Sequence, residues 1–284
     1  MANITQVTFY PNEIQYCGFD PNAKPSISGN GFTCSGGETS GVGYDVVDNR
    51  RSAVITLDTN GEMALATFDF DLYAAITNAN FLIIDNNNLK TANAKVILDH
   101  GGAGIELINS WFGALGSALA GYTVTPDVVD VDGVALFTFA NTTDDNWEIS
   151  IDDVSTFDAD ITIGELIIGK RFTPATNCEL GEPAEFGYTD EGVALITNKS
   201  GKRYALKEHS ERRRWNLEFR YVSASDLAEF QRIFQVTRGY PLYVSLDSDS
   251  ATPTLYRVRI MNAYNARPIA AGAYEVSVYL EEEL

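Results

Sequence analysis

Residues 52–70 read SAVITLDTNGEMALATFDF, two apolar runs on either side of Asn60-Gly61. Asn-Gly between apolar runs is a strong short-range hairpin signal, because both residues accept the positive φ of a tight turn. The stretch predicts a strand over Ser52–Leu57, a turn, and a return strand over Met63–Phe70. Further signals follow downstream. Phe81–Asp85 (FLIID) is a continuous apolar run, as in a buried strand, and Asn86-Asn87-Asn88 turns it. Ala94–Leu98 (AKVIL) ends at His100-Gly101-Gly102, and Val128–Val131 and Ala135–Ala140 flank Asp132-Gly133. Trp147–Ile151 (WEISI) alternates cleanly, and Ile161–Ile168 (ITIGELII) reads as one long strand. Strands at this spacing between residues 44 and 170 predict a β-sandwich or barrel.

Upstream, MANITQVTFY alternates like a short strand, and Pro21–Gly43 is rich in Gly, Ser, Pro and Asn. Residues 1–43 therefore read as a strand and an extended arm, and 44–172 as the sandwich. Ile105–Val124 is the most apolar stretch, but Asn109, Ser110 and its glycines break it, so it reads as a loop or a packed helix and not as a membrane span. Thr173–Pro183 carries two prolines and Gly181 and reads as a linker. Beyond it, residues 184–284 read as a smaller α+β domain. In Trp215–Val222 (WNLEFRYV) Trp215, Leu217, Phe219 and Tyr221 share one face. Ser223 can cap a helix, with Asp226 at the capping-box position. Leu227, Phe230 and Phe234 give that helix its apolar stripe, and Gly239 can close it. Tyr243–Leu246, Tyr256–Met261 and Tyr274–Leu280 complete an antiparallel sheet.

The chain has 284 residues, 39 acids against 20 Lys and Arg, and a net charge of −19. Such a balance argues against nucleic acid and anionic membranes as partners, since both require a positive field. Residues 1–169 carry −18 of that charge and residues 170–284 only −1. The first part reads as solvent-facing, the second as able to pack against neighbouring chains. Three distant cysteines, Cys17, Cys34 and Cys178, make no disulfide framework and read as plain thiols. Met1–Tyr10 has neither the basic nor the apolar region of a secretory leader, so synthesis and folding in a cytoplasm are expected.

The chemical motifs are thin. Gly164–Arg171 (GELIIGKR) approaches a phosphate-binding loop, but Arg171 replaces the hydroxyl residue and the intervening residues form an apolar strand. His100-Gly101-Gly102 resembles an esterase oxyanion loop, yet the chain has no G-x-S-x-G elbow. No zinc spacing occurs among two histidines and three cysteines. The pairs Asp69/Asp71, Asp130/Asp132, Asp158/Asp160 and Asp247/Asp249 can start a calcium site, without an EF-hand ladder. No catalytic or cofactor-binding residue is assigned, and no enzyme is expected. Arg212-Arg213-Arg214 is the candidate interface, because arginine suits ion pairs with a carboxylate-bearing neighbour. Trp111, Phe112 and Tyr122 are candidate glycan contacts, since sugar rings stack on flat aromatic faces; they can equally be core plugs.

Trp147–Phe172 (WEISIDDVSTFDADITIGELIIGKRF), with Gly169-Lys170 handing over to Pro174, resembles the closing strands of galactose-binding-like sandwiches in siphophage minor tail proteins. Ser200-Gly201 to Tyr204, Arg212–Phe219, Phe230–Phe234, Gly239 and Pro241-Leu242 are similar to the C-terminal half of those proteins. The resemblance spans residues 80–284 and lies in element order and a few side chains. It implies a jelly-roll sandwich, optionally with one structural calcium ion and no shared catalytic residues. It further implies a non-enzymatic, homo-oligomeric component of a phage tail tip or baseplate, akin to the distal tail protein. Its partners would be the tail tube, the hub and copies of itself, and it would reside in the virion tail. Distal tail proteins place the ring-forming domain first, whereas here the sandwich comes first, which points equally to a peripheral minor tail protein. The alternative is a carbohydrate-binding module that adheres to a host surface glycan.

Overall fold

The structure is a computed structural model. It describes residues 4–18, 26–29, 32–35, 54–57, 65–89, 94–101, 105–111, 129–131, 133–153, 161–180, 187–189, 193–197, 203–207, 212–248 and 253–283. The chain divides into two compact units. Tyr10–Arg171 forms one, and Met1–Phe9 with Phe172–Leu284 forms the other. The fold is mostly β, a sandwich unit and an α+β unit, the class that the strand spacing predicts.

Residues 1–43 are not an arm where they are described. Strand β1 (Thr8–Pro11) and the residues that follow it to Ile14 are buried, and helix α1 (Glu13–Cys17) starts at Asn12, whose Oδ1 accepts from Ile14 N at 3.2 Å. The Pro21–Gly43 stretch contains β2 (Ser26–Gly29) and β3 (Phe32–Ser35), which find partners far along the chain.

Asn60-Gly61 lies outside the described residues, and the described strands on either side of it do not pair with each other. Strand β4 (Val54–Leu57) pairs with β3 and with β10 (Ile161–Ile163), making a three-stranded sheet. Strand β5 (Leu65–Asp85) belongs instead to a seven-stranded sheet. In that sheet β5 lies between β11 (Glu165–Gly169) and β9 (Val134–Asp153), and β9 also pairs with β6 (Ala94–His100). Beyond β6 runs β7 (Ile105–Trp111), while β2 pairs with β5 and β8 (Val129–Val131) with β9. The two apolar runs around Asn-Gly thus contribute to different layers. Similarly, Ile161–Ile168 is not one strand. It breaks at Gly164, and its halves β10 and β11 join opposite sheets. A Cβ on Gly164 would lie 2.7 Å from Asn86 Cβ and 3.2 Å from Asp85 O, so this crossing point requires glycine. Ile105–Trp111 is a strand, not a loop or helix.

The sandwich core is built from Phe68, Phe70, Leu82, Ile84, Phe137, Trp147 and Ile149 of the long strands, joined by Ile161 and Ile163 of the short sheet. Phe81–Asp85 is fully buried, as its unbroken apolar pattern requires.

In the α+β unit the sheet runs β1, β17 (Leu242–Ser245), β18 (Leu255–Ile260), β20 (Ala273–Glu282), β16 (Arg212–Val222) and β12 (Glu179–Leu180). Strand β13 (Gly187–Thr189) adds to β16 and β19 (Ala266–Ala270) to β20, while β14 (Val193–Thr197) and β15 (Arg203–Lys207) form a separate pair. The expected linker 173–183 therefore contains β12, which pairs with Leu217 and Glu218. Helix α2 (Ala224–Thr237) begins where Ser223 accepts from Asp226 N at 3.2 Å; the Asp226 carboxylate accepts from Ala175 N. Phe230 anchors the helix, its ring 4.9 Å from that of Phe219 and 5.1 Å from that of Phe172. Trp215, Leu217 and Phe219 are buried as their alternation predicts, but Tyr221 is not. A bulge after Phe219 admits Val222 to the core and leaves Tyr221 at φ 59°, largely exposed.

Gly169 lies under α1, and a Cβ there would sit 2.5 Å from Pro11 O and 3.3 Å from the Phe81 ring. Gly169→Ala is expected to destabilise the protein by about 1–3 kcal/mol through overpacking. Denaturant unfolding checks this, and a variant as stable as the parent would contradict the contact.

Candidate functional site

Strands β5, β9 and β6 present an outward face. From Thr67 to Leu72 along β5, Phe68, Phe70 and Leu72 are buried and Thr67, Asp69 and Asp71 face outwards, with Tyr73 next in the same period. The register sets Ser150 beside Thr67, Glu148 beside Asp69 and Asn146 beside Asp71, and Asp99 flanks Glu148 from β6. Thr67 Oγ1 and Ser150 Oγ share a hydrogen bond of 3.1 Å. Asn146 Nδ2 donates to Asp71, and the Asn146 amide also hydrogen-bonds Asp69. Burial pushes the Asp69 carboxyl above its ordinary range, the charge of Asp71 adds to that, and the Asn146 bond offsets part of it. Tyr73 is 77% exposed, and its backbone N–H donates to Gly18 O at 2.9 Å, so a held backbone presents the ring.

Beyond Tyr73 the β5–β9 register shifts three times before Phe81. This bulged rim is rich in amides and hydroxyls. Asn78 N donates to Thr143 Oγ1, and Asn80 Nδ2 to Asn141 Oδ1, both at 3.0 Å. His100 Nδ1 lies 2.8 Å from Asp144 Oδ2, while Asp144 Oδ1 accepts from Asp145 N and Asn146 N. Burial pushes the Asp144 carboxyl up, but the hydrogen bonds from His100, Asn146 and Asp145 and the attraction of His100 outweigh it, and it rests below its ordinary range. Trp147 Nε1 donates to Asp144 O at 3.1 Å. The His100-Gly101 turn thus locks β6 to the rim, and Gly101, at φ 69°, is a turn glycine.

Asp85 and Glu165 are fully buried and sit opposite each other across β5 and β11. Among the described residues no group of three metal-ligating side chains converges. Of the four aspartate pairs, Asp69/Asp71 is the outward pair above. Asp247 is occupied in a turn, accepting from Thr254 N at 2.8 Å and from Ser245 Oγ at 3.1 Å. Asp132, Asp158, Asp160 and Asp249 lie outside the described residues.

Arg212, Arg213 and Arg214 begin β16. Arg214 pairs with Glu281 at 2.8 Å and Arg212 with the same carboxylate at 3.2 Å. Arg213 reaches Glu282 at 3.7 Å and covers the Tyr256 ring at 5.3 Å. The carboxylate-bearing neighbour within the chain is β20, and Arg212 and Arg213 remain about half-exposed. Trp111 ends β7, paired in the backbone with Lys95. Phe112 and Tyr122 lie outside the described residues. The cysteines Cys17 and Cys178 are free thiols that burial raises to about 11, too high for reactive thiolates. Within Gly164–Arg171, Glu165–Gly169 is strand β11 and both glycines are in packing contacts, so the stretch is not a phosphate cradle. Sequence reasoning missed Tyr73, Asn146 and Asp144; the period-2 run from Thr67 to Tyr73 was the signal that could have found the first.

Because Asp69 titrates above its ordinary 3.8, its ionisation costs stability once the pH rises through that raised value, and the cost vanishes below 3.8. Asp69→Asn is therefore expected to raise the melting temperature by about 1–3 °C at pH 7 and to leave it unchanged at pH 3. Calorimetry at both pH values checks this; an unchanged or lower midpoint at pH 7 would count against the repulsion.

No family model and no curated protein matches the sequence. Solved structures similar to the chain include a Clostridium perfringens family 32 carbohydrate-binding module in complex with GalNAc-beta-1,3-galactose, at 10% identity and TM-score 0.34, covering 53% of this chain and 98% of that one. The family 32 module of C. perfringens NanJ in complex with galactose shows 14% identity and TM-score 0.33, covering 58% and 99%. A Streptococcus pneumoniae fucose-binding module shows 10% identity and TM-score 0.32, covering 51% and 93%. Similarity at this level positions no residue and assigns no function.

Proposed function

We propose that the sandwich unit is a carbohydrate-binding module that takes an uncharged glycan on its outward β5–β9–β6 face. The observation that carries the reading is Tyr73, the most exposed large hydrophobic side chain described, two residues along β5 from Asp71, which pairs with Asn146. An exposed ring on a held strand offers a flat platform to the C–H face of a pyranose. Carboxylates and amides next to it accept and donate hydrogen bonds to vicinal hydroxyls, and bonds to charged groups are the stronger kind. The sandwich sequence from residue 10 to 171 carries 23 acids and 7 Lys and Arg, so its field disfavours an anionic sugar.

A second reading, the non-enzymatic structural component of a phage tail tip, has one observation in its favour. The hairpin of β19 and β20 exposes Arg267–Gly272, with Ile269 among them, a tip that a neighbouring subunit in a virion can cover. Light scattering would show a closed oligomer of defined mass on that reading and a monomer against it.

Tyr73→Ala is expected to weaken binding of a neutral oligosaccharide by about ten-fold, the worth of one aromatic stacking contact, with no loss of folding. A panel of neutral glycans measured by calorimetry against the parent and the variant is the test. Binding that ignores the substitution, or no binding across the panel, would sink the proposal.

A further inference from the structure

The α+β unit contains an open groove of about 360 Å³ between the second half of α2 and the chain after β18. Its floor is aromatic and aliphatic: the Phe234 and Tyr264 rings meet edge to face at 5.3 Å, beside Ile260. Its rim is polar: Gln231 and Gln235, one turn apart on α2, and Arg238 at the helix end, all three exposed. Among the described residues no carboxylate pairs with Arg238, and no group hydrogen-bonds either glutamine side chain. Among the described residues no acid lines the groove, although the chain holds 39 of them. The helix C-terminus would oppose an anion through its free carbonyls, but part of that field is already answered. Tyr240 N donates to Thr237 O, and Thr237 Oγ1 donates to Ile233 O at 2.8 Å.

From this geometry we infer a second ligand site, specific for a pyranose that carries a carboxylate, such as a uronate residue. Arg238 supplies the planar fork that a carboxylate accepts bidentately. Gln231 and Gln235 each present a donor and an acceptor to ring hydroxyls. The Phe234 and Tyr264 rings give the apolar face of the sugar a surface, in a volume at the lower end of the range for small-ligand sites. The inference does not depend on the sandwich reading, and its charge preference is the opposite one.

The test is calorimetric titration of the full chain with an oligogalacturonate and with a neutral galactose oligomer of equal length, for the parent, Arg238→Gln, Arg238→Lys and Tyr73→Ala. Binding of the oligogalacturonate is expected, reduced about ten-fold or more in Arg238→Gln by loss of a charge-assisted hydrogen bond. Arg238→Lys should retain part of the affinity, and Tyr73→Ala should leave it unchanged. Arg238 is exposed, so a melting temperature equal to the parent's is expected for both of its variants. Absence of oligogalacturonate binding, binding that Arg238→Gln does not weaken, or equal binding of the neutral oligomer at this groove would overturn the inference. Binding of an acidic peptide but not the uronate, with the same dependence on Arg238, would overturn it in favour of a protein partner.

Discussion

The sandwich unit depends on one ladder, the antiparallel pairing of β5 with β9. These strands of 21 and 20 residues run from Leu65 opposite Asp152 to Ile84 opposite Ala135. One face of that ladder holds Phe68, Phe70, Trp147 and Ile149 in the core, and the other holds Asp69, Asp71, Asn146 and Glu148 half-buried at the surface. Because side chains alternate with period two, the burial of the first set fixes the display of the second. A slip of one residue would exchange them, so the same hydrophobic term that stabilises the sandwich also specifies its polar surface.

That ladder also explains which parts of the fold were legible. Where a strand alternates and its partner is continuous, the pattern reads correctly, as in Trp215, Leu217 and Phe219. It fails at irregularities. Tyr221 continues the alternation in sequence, but a bulge turns it outwards. The length of β5 and β9 was hidden because their middle third is bulged and polar, which breaks the periodicity on which strand recognition rests. Asn60-Gly61 and Gly164 mislead in the same way. Local signals report a turn or a continuous run, while the choice of partner sheet is settled by burial across the two layers, a non-local quantity.

The candidate sites were less legible than the fold. Tyr73 sits between Leu72 and two alanines, and only the period-2 run that begins at Thr67 separates it from a core aromatic. The groove in the α+β unit joins residues of α2 to Ile260 and Tyr264, which only the folded chain brings together. The Arg212–Arg214 cluster was visible as a run of charge, but its partners Glu281 and Glu282 lie on a strand about seventy residues later. Chemistry that arises from juxtaposition leaves little trace in a single sequence unless spacing carries it, and here the two histidines, three cysteines and scattered acids carry none.

Phe9 and Phe172 exchange a pair of backbone hydrogen bonds of 2.9 Å within the α+β unit, and everything from Tyr10 to Arg171 is strung between them. The sandwich is thus an insertion between two neighbouring strand ends. During synthesis it is complete before the strands that Val7 and Phe9 need as partners have been made, so the first residues of the chain must wait for the last. Ends held this close are the arrangement in which insertion of one domain into another is tolerated.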